Sequence, residues 1–116
     1  GSWFTSVIPH LLVPELAEAI VSTRAHRILT LNIEAAAETA GLTAARHIEI
    51  LAEHAPTLRL DTVLADVRLS SSDRHIARYV ESLGGRLVIA DVAMRDGTAR
   101  HDPNRLAAAY AEIMGL

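Results

Sequence analysis

The residues best suited to chemistry fall into three groups along the chain. The first, Gly1-Ser2-Trp3-Phe4-Thr5-Ser6, is a small, hydroxyl-rich turn that runs into apolar Val7, Ile8, Leu11 and Leu12. Glycine lets a backbone approach a ligand closely, and hydroxyls beside the unpaired amides of a helix start suit a phosphate. The same pattern also serves as a plain helix cap, and Gly-Ser at a terminus is a common cloning remnant. The second group is Asn32, Glu38 and Thr39. Asn32 closes a short apolar run, where its amide can read a base or a ribose or simply hold a turn. Glu38 and Thr39 can meet a sugar hydroxyl or a metal-bound water, or stay solvated in a loop. The third group is Arg100, just ahead of Asp102-Pro103. A guanidinium and a helix N-terminus converging there suit one diphosphate; the plainer alternative is a surface arginine beside a simple N-cap.

Other residue types carry weaker signals. His47 and His54 are seven apart on one side of a helix, but two histidines two turns apart do not close a metal site without further ligands, so no metal is assigned to them. Asp66 and Asp91 end apolar runs; such residues take ribose hydroxyls or Mg²⁺, or cap the next element. Ser6, His101 and Asp102 have the residue types of a hydrolytic triad without a spacing that sets its geometry. The sequence holds no nucleophile elbow, complete P-loop or HExxH.

The elements that must position these residues alternate between helix and strand. Pro14–Arg24 predicts a helix with Leu16, Ala19, Ile20 and Thr23 on its inner stripe, Pro14 at its first position and Glu15 and Glu18 toward the positive end of the dipole. Arg27–Asn32 predicts a buried strand. Thr43 caps a helix whose inner stripe is Ala44, Ile48, Leu51, Ala52 and Ala55, stopped by Pro56. Leu60–Val67 is a second apolar run, Ser71 or Ser72 caps a helix through Leu83 that ends at Gly84-Gly85, and Arg86–Val92 is a third strand. Asp102 and Pro103 open a last helix expected to bury Leu106, Tyr110, Ile113 and Met114. Strands apolar on both faces and separated by helices belong in a parallel sheet covered on both sides. The fold class is therefore α/β, a three-layer α/β/α arrangement. The loops that leave its ligand edge contain Asn32–Leu42, Asp66–Ser72 and Asp91–Asp102.

Composition bounds the partners. The 116 residues, 12.5 kDa, fit one compact domain or a piece of a larger one, and half of them are apolar. Net charge is −3 and all 11 basic residues are arginine, which argues against binding to nucleic acid or an anionic membrane and suits contacts with single phosphates or carboxylates. There is no cysteine, hence no disulfide framework or thiolate metal site. No apolar stretch approaches the roughly 20 residues that cross a bilayer, and a cytoplasmic location is expected.

Three stretches together resemble one family. Gly1-Ser2-Trp3-Phe4-Thr5-Ser6-Val7-Ile8-Pro9 with Leu11-Leu12-Val13 is similar to the GPGS-aromatic-TS-V-x-P-x-L-L-V segment of the 2-phospho-lactate transferase (CofD)-like superfamily, and nearest to its gluconeogenesis-factor (YvcK) branch. Leu31-Asn32, Glu38-Thr39-x-Gly41-x-Thr43 and His47 resemble that branch's N-x-x-x-x-P-G-E-T-x-G-x-T-x-x-D-H stretch, and Arg100-His101-Asp102-Pro103 with Leu106-Ala107 resembles a late motif of it. The chain departs from the pattern where Ala35–Ala37 replace the Pro-Gly before Glu38, with one residue fewer from Asn32, and where Arg46 stands for an aspartate. The family's glycine-rich first turn would lie upstream of Gly1.

The resemblance implies a Rossmann-like fold of which residues 1–116 form a C-terminal segment. It also implies a bacterial protein that binds a UDP-sugar such as UDP-N-acetylglucosamine and regulates central carbon metabolism, cell shape and cell-wall (peptidoglycan) synthesis, more binding and regulatory than enzymatic. On that basis Ser2, Thr5 and Ser6 approach phosphate or sugar, Asn32, Glu38 and Thr39 line the adjacent loop, and Arg100 balances diphosphate charge. Catalytic residues are not assigned. The alternative is a transferase that joins a phospho-lactyl unit to a deazaflavin precursor, with Mg²⁺ bridging phosphates. A homo-oligomeric full-length protein and a Ser/Thr kinase as partner are further expectations of the resemblance; a third reading makes the segment an assembly module that pairs through an open sheet edge.

Overall fold

The alternation of short apolar runs with amphipathic stretches produces a three-stranded parallel sheet with helices on both faces. The computed structural model describes residues 8–31, 44–67, 76–96, 98 and 100–116. Its elements are α1 (Ile8–Leu12), α2 (Pro14–Ser22), β1 (Ile28–Thr30), α3 (Ala44–His54), β2 (Thr62–Asp66), α4 (Ile76–Ser82), β3 (Arg86–Ala90) and α5 (Pro103–Met114). Strand order is β1-β2-β3, with Leu29 opposite Val63 and Val63 opposite Leu87. This is the expected Rossmann-like α/β arrangement.

The two-residue period of β2 assigns its side chains to two cores. Val63 and Ala65 pack with Ile48 and Leu51 of α3 and with Ile76 and Val80 of α4, while Leu64 packs on the opposite face with Val92, Ala93 and with Ala109 and Ile113 of α5. All five residues of β2 are buried, as a central parallel strand requires. The flanking strands are not. β1 is half-buried throughout, and β3 exposes Arg86 and Ile89, because among the described residues each pairs on one side only. The expectation of three strands buried on both faces thus holds for β2 alone.

Capping chemistry closes several elements. Asp102 accepts hydrogen bonds from the amides of Asn104 and Arg105 at 2.8 and 3.2 Å, and Pro103 follows at the first helical position. At the other end of α5, Gly115 adopts φ +76°, a left-handed cap that favours glycine. α2 begins at Pro14 as expected, but Thr23 lies just past its end. None of its residues is fully buried and Leu16 is 45% exposed; of its expected stripe, Ile20 is the residue that packs, half-buried, against the core among the described residues. Met114, expected inside, is exposed, whereas Ala109 and Ile113 are buried and Leu106 and Tyr110 pack half-buried against the core. Thr43, Ser71 and Ser72, the expected caps of α3 and α4, lie outside the described residues.

The N-terminal end of the sheet is sealed by close backbone contact. Gly84, at φ +89°, ends α4, and the next residue passes so near the preceding loop that a Cβ on Gly85 would lie 2.4 Å from the Leu60 carbonyl oxygen. Beside it, Arg27 donates its amide to Asp61 Oδ2 at 2.8 Å and its Nη1 to the carbonyls of Ile20 and Val21, satisfying acceptors at the end of α2. His26 Nε2 pairs with the buried hydroxyl of Thr62 at 2.9 Å.

Candidate functional site

Parallel strands bring their C-terminal ends to one edge, and here that edge is tied together by polar side chains reaching for backbone. β2 ends at Asp66, only 3% exposed, whose Oδ1 accepts the Val92 amide at 3.1 Å. This bond holds the chain leaving β3 over the end of β2. The chain then doubles back: Ala93 and His101 form an antiparallel bridge, with Met94 N–H to the Arg100 carbonyl at 2.9 Å and Asp102 N–H to the Val92 carbonyl at 2.8 Å. Arg100, His101 and Asp102 are consequently delivered to the sheet edge by paired backbone.

From that platform two side chains cross to the end of β1. His101 Nε2 lies 3.2 Å from the Leu31 carbonyl oxygen, and the Tyr110 hydroxyl of α5 bonds Thr30 Oγ1 at 2.6 Å. β1 and β3 are not neighbours in the sheet, so the His101 bond joins the chain beyond β3 to the end of β1, and the Tyr110 bond ties α5 to the same end.

Charge at the edge is balanced. Thr98 donates both its hydroxyl and its amide to Asp96 Oδ1, at 2.6 and 3.0 Å, and Arg100 reaches Asp96 Oδ2 at 3.3 Å. The Thr98 hydroxyl above all, then its amide and the Arg100 guanidinium, hold the Asp96 carboxyl below the usual carboxylate range. The Arg100 side chain is nonetheless 70% exposed. Asp91 accepts from Arg95 and, at 3.1 Å, from Arg105.

The sequence-derived candidates divide accordingly. Arg100 lies at this edge, as its place ahead of the Asp102 cap requires. Ser2, Thr5, Ser6, Asn32, Glu38 and Thr39 lie outside the described residues, although the peptide bond that enters Asn32 is the one whose carbonyl His101 meets. His47 stands on α3, its side chain outside the described set, and His54 bonds the Ile50 carbonyl of its own helix at 2.9 Å. Among the described residues no three histidines or carboxylates converge as a metal site.

Asp66 is buried and accepts a main-chain amide, and Asp91 pairs through Oδ2 with two arginines. His101 and Asp102 do not form part of a triad, since Asp102 caps α5 and His101 bonds backbone. A largely apolar cavity of about 290 Å³, lined by Leu11, Ile20, Leu29, Leu51 and Leu60 with His10 and Arg27, is separate from these groups.

Sequence reasoning missed two of the bonds that build the edge. Tyr110 reads as a core residue of the helix stripe, and only the strand's alternation, which turns Thr30 to the α5 face with Ile28, hints at a polar partner. His101 sits beside a helix cap, and nothing local reveals that it reaches a carbonyl 70 residues away.

A family model described as 2-phospho-L-lactate transferase CofD matches residues 1–107. The chain belongs to the CofD family. A protein of Mycobacterium tuberculosis named as a gluconeogenesis factor is 46% identical over 112 residues, covering 93% of this chain and 32% of its own length. The gluconeogenesis factor of Listeria innocua is 30% identical, covering 98% of this chain and 39% of its own. The chain thus spans about a third of the length of these curated relatives. A crystal structure of a UPF0052 family member from Bacillus halodurans superposes with a TM-score of 0.75 at 24% identity, over 94% of this chain and 40% of that one; it establishes the same fold. Among the described residues no helix is long and apolar enough to cross a membrane.

Proposed function

We propose that this chain is the C-terminal part of a cytoplasmic CofD-family protein that binds a nucleotide sugar, of the UDP-N-acetylglucosamine kind, and regulates carbon flow and cell-wall precursor supply. The observation that carries the reading is Arg100, an exposed guanidinium held at the C-terminal edge of a parallel sheet, the edge at which open α/β sheets take nucleotides. Its partner Asp96 is solvent-exposed as well, and an exposed ion pair contributes little. A diphosphate therefore displaces Asp96 at small cost and gains a bidentate donor. Ser2, Thr5 and Ser6 approach phosphate or sugar, and Asn32, Glu38 and Thr39 line the neighbouring loop. The relatives' naming as gluconeogenesis factors favours regulation over turnover.

Titration of UDP-N-acetylglucosamine into the full-length protein and its Arg100→Ala variant tests this. The expected result is a loss of affinity of about tenfold or more, matching a charge-assisted bidentate contact. Equal affinity removes Arg100 from the site. A phospho-lactyl transfer to a deazaflavin acceptor is the second reading, favoured by the name of the matching family; formation of a new deazaflavin species on incubation with both substrates would establish it.

A further inference from the structure

The contacts of Arg100 engage one particular edge of its guanidinium. Nε donates to Thr98 Oγ1 and Nη2 to Asp96 Oδ2, each at 3.3 Å. Nε and Nη2 are neighbouring donors of the fork with which arginine takes a pair of carboxylate or phosphate oxygens. Here both oxygens come from the chain itself, one from a carboxylate and one from a hydroxyl. They are also tied to each other, since the Thr98 hydroxyl and amide both donate to Asp96 Oδ1, at 2.6 and 3.0 Å. Asp96 thus gives one oxygen to Thr98 and the other to Arg100. The Thr98 hydroxyl directs its proton at Asp96 and accepts from Nε through a lone pair.

The lengths rank these contacts. Charge-assisted N–H to O⁻ bonds run at about 2.7–2.9 Å, so the Arg100 bond to Asp96 is long, whereas the Thr98 hydroxyl bond is short. The oxygen pair is held firmly within its own turn and loosely by the arginine. The Thr98 hydroxyl, ahead of the other contacts, also holds the Asp96 carboxyl below the usual carboxylate range, so the pair presents a negative charge to the guanidinium. Asp96 and Arg100 are both exposed, and an anion arriving from solution meets the same donors. The base of the turn is fixed independently by the bond from Met94 N–H to the Arg100 carbonyl.

We propose that Asp96 and Thr98 form an autoinhibitory contact, an oxygen pair that occupies the Nε–Nη2 fork of Arg100 until the diphosphate of a nucleotide sugar displaces it. The proposal rests on the ligand reading above, and it assigns Asp96 the role of lowering affinity. Asp96→Asn isolates that role. Its Oδ1 still accepts both Thr98 bonds, while an amide nitrogen with only hydrogens to offer stands in place of Oδ2. The turn is kept and the fork is released.

The test is calorimetric titration of UDP-N-acetylglucosamine, at fixed ionic strength, into the full-length protein and its Asp96→Asn, Arg100→Ala and doubly substituted variants. Asp96→Asn binds about threefold tighter than wild type, the size of effect that an exposed ion pair carries. In the Arg100→Ala background the same change gives no gain, because the two residues act as a pair. Asp96→Ala, which also removes the charge, keeps the test open if Asp96→Asn does not fold. Equal or weaker binding by Asp96→Asn overturns the autoinhibitory contact and leaves the ligand reading standing. A gain that persists in the Arg100→Ala background overturns it as well, since the carboxylate then acts through general charge and not through the fork. Binding by neither wild type nor Asp96→Asn overturns the ligand reading, and the role of Asp96 with it.

Discussion

The two ends of the sheet solve the same problem by different means. At the N-terminal end the chain is closed by backbone against backbone, with Gly85 passing the Leu60 carbonyl where no Cβ fits, and with Arg27 filling the carbonyls of α2. At the C-terminal end no such backbone approach is seen among the described residues, and polar side chains carry the ties: Asp66 to Val92, His101 to Leu31, Asp102 to the first amides of α5. The first arrangement fixes Gly85 against the Leu60 carbonyl. The second anchors the frame while leaving Arg100 and Asp91 charged and partly exposed at its rim. The proposed ligand site lies at this second end, where ligands meet an open parallel sheet beyond the carboxyl ends of its strands.

The sharpest way to break this contrast is Gly85→Ala. The added Cβ meets backbone rather than a flexible side chain, so the strand must shift, and we expect a loss of about 3 kcal/mol, the upper part of the range for overpacking, read by denaturant unfolding of the full-length protein. A cost below about 0.5 kcal/mol would show that the end is not closed as described. Asp66→Ala comes next. It strands the Val92 amide in a buried position, for an expected cost of about 2 kcal/mol, and amide exchange at Val92 should accelerate even in native buffer. Asp102→Ala removes an N-cap with two acceptor contacts at about 1 kcal/mol, with faster exchange confined to the first turn of α5.

The smallest effect belongs to Asp96. Its carboxyl is held below the usual range first by the Thr98 hydroxyl, so the ionised form is the one the fold favours. That preference is present above the unfolded-state value and is lost as pH falls through the folded one. Because the group is fully exposed, solvent screens the effect and stability should barely register it. The titration itself is the readout: Thr98→Ala should raise the Asp96 midpoint followed by carboxyl ¹³C shifts, and an unmoved midpoint would contradict the hydroxyl's role.

Sequence made the frame legible because its signals are local. Pro14, the Gly84-Gly85 pair and Asp102-Pro103 mark element boundaries through backbone sterics and capping, and the apolar run of β2 requires a central strand. It overstated burial in β1, β3 and α2, because a short apolar stretch reads the same whether one or both of its faces find a partner. The candidate site was legible as residue types, Arg100 among them. What ties the sheet edge together was not, since the His101 and Asp66 bonds span 70 and 26 residues and leave no periodic trace.

Calorimetric titration of UDP-N-acetylglucosamine into the full-length protein and into residues 1–116 alone, with UDP and GDP as controls, tests the central claim most directly. The account predicts binding by the full-length protein, competition by UDP but not by GDP, and no binding by the segment alone, because the site is shared with the rest of the protein. No binding by the full-length protein would contradict it.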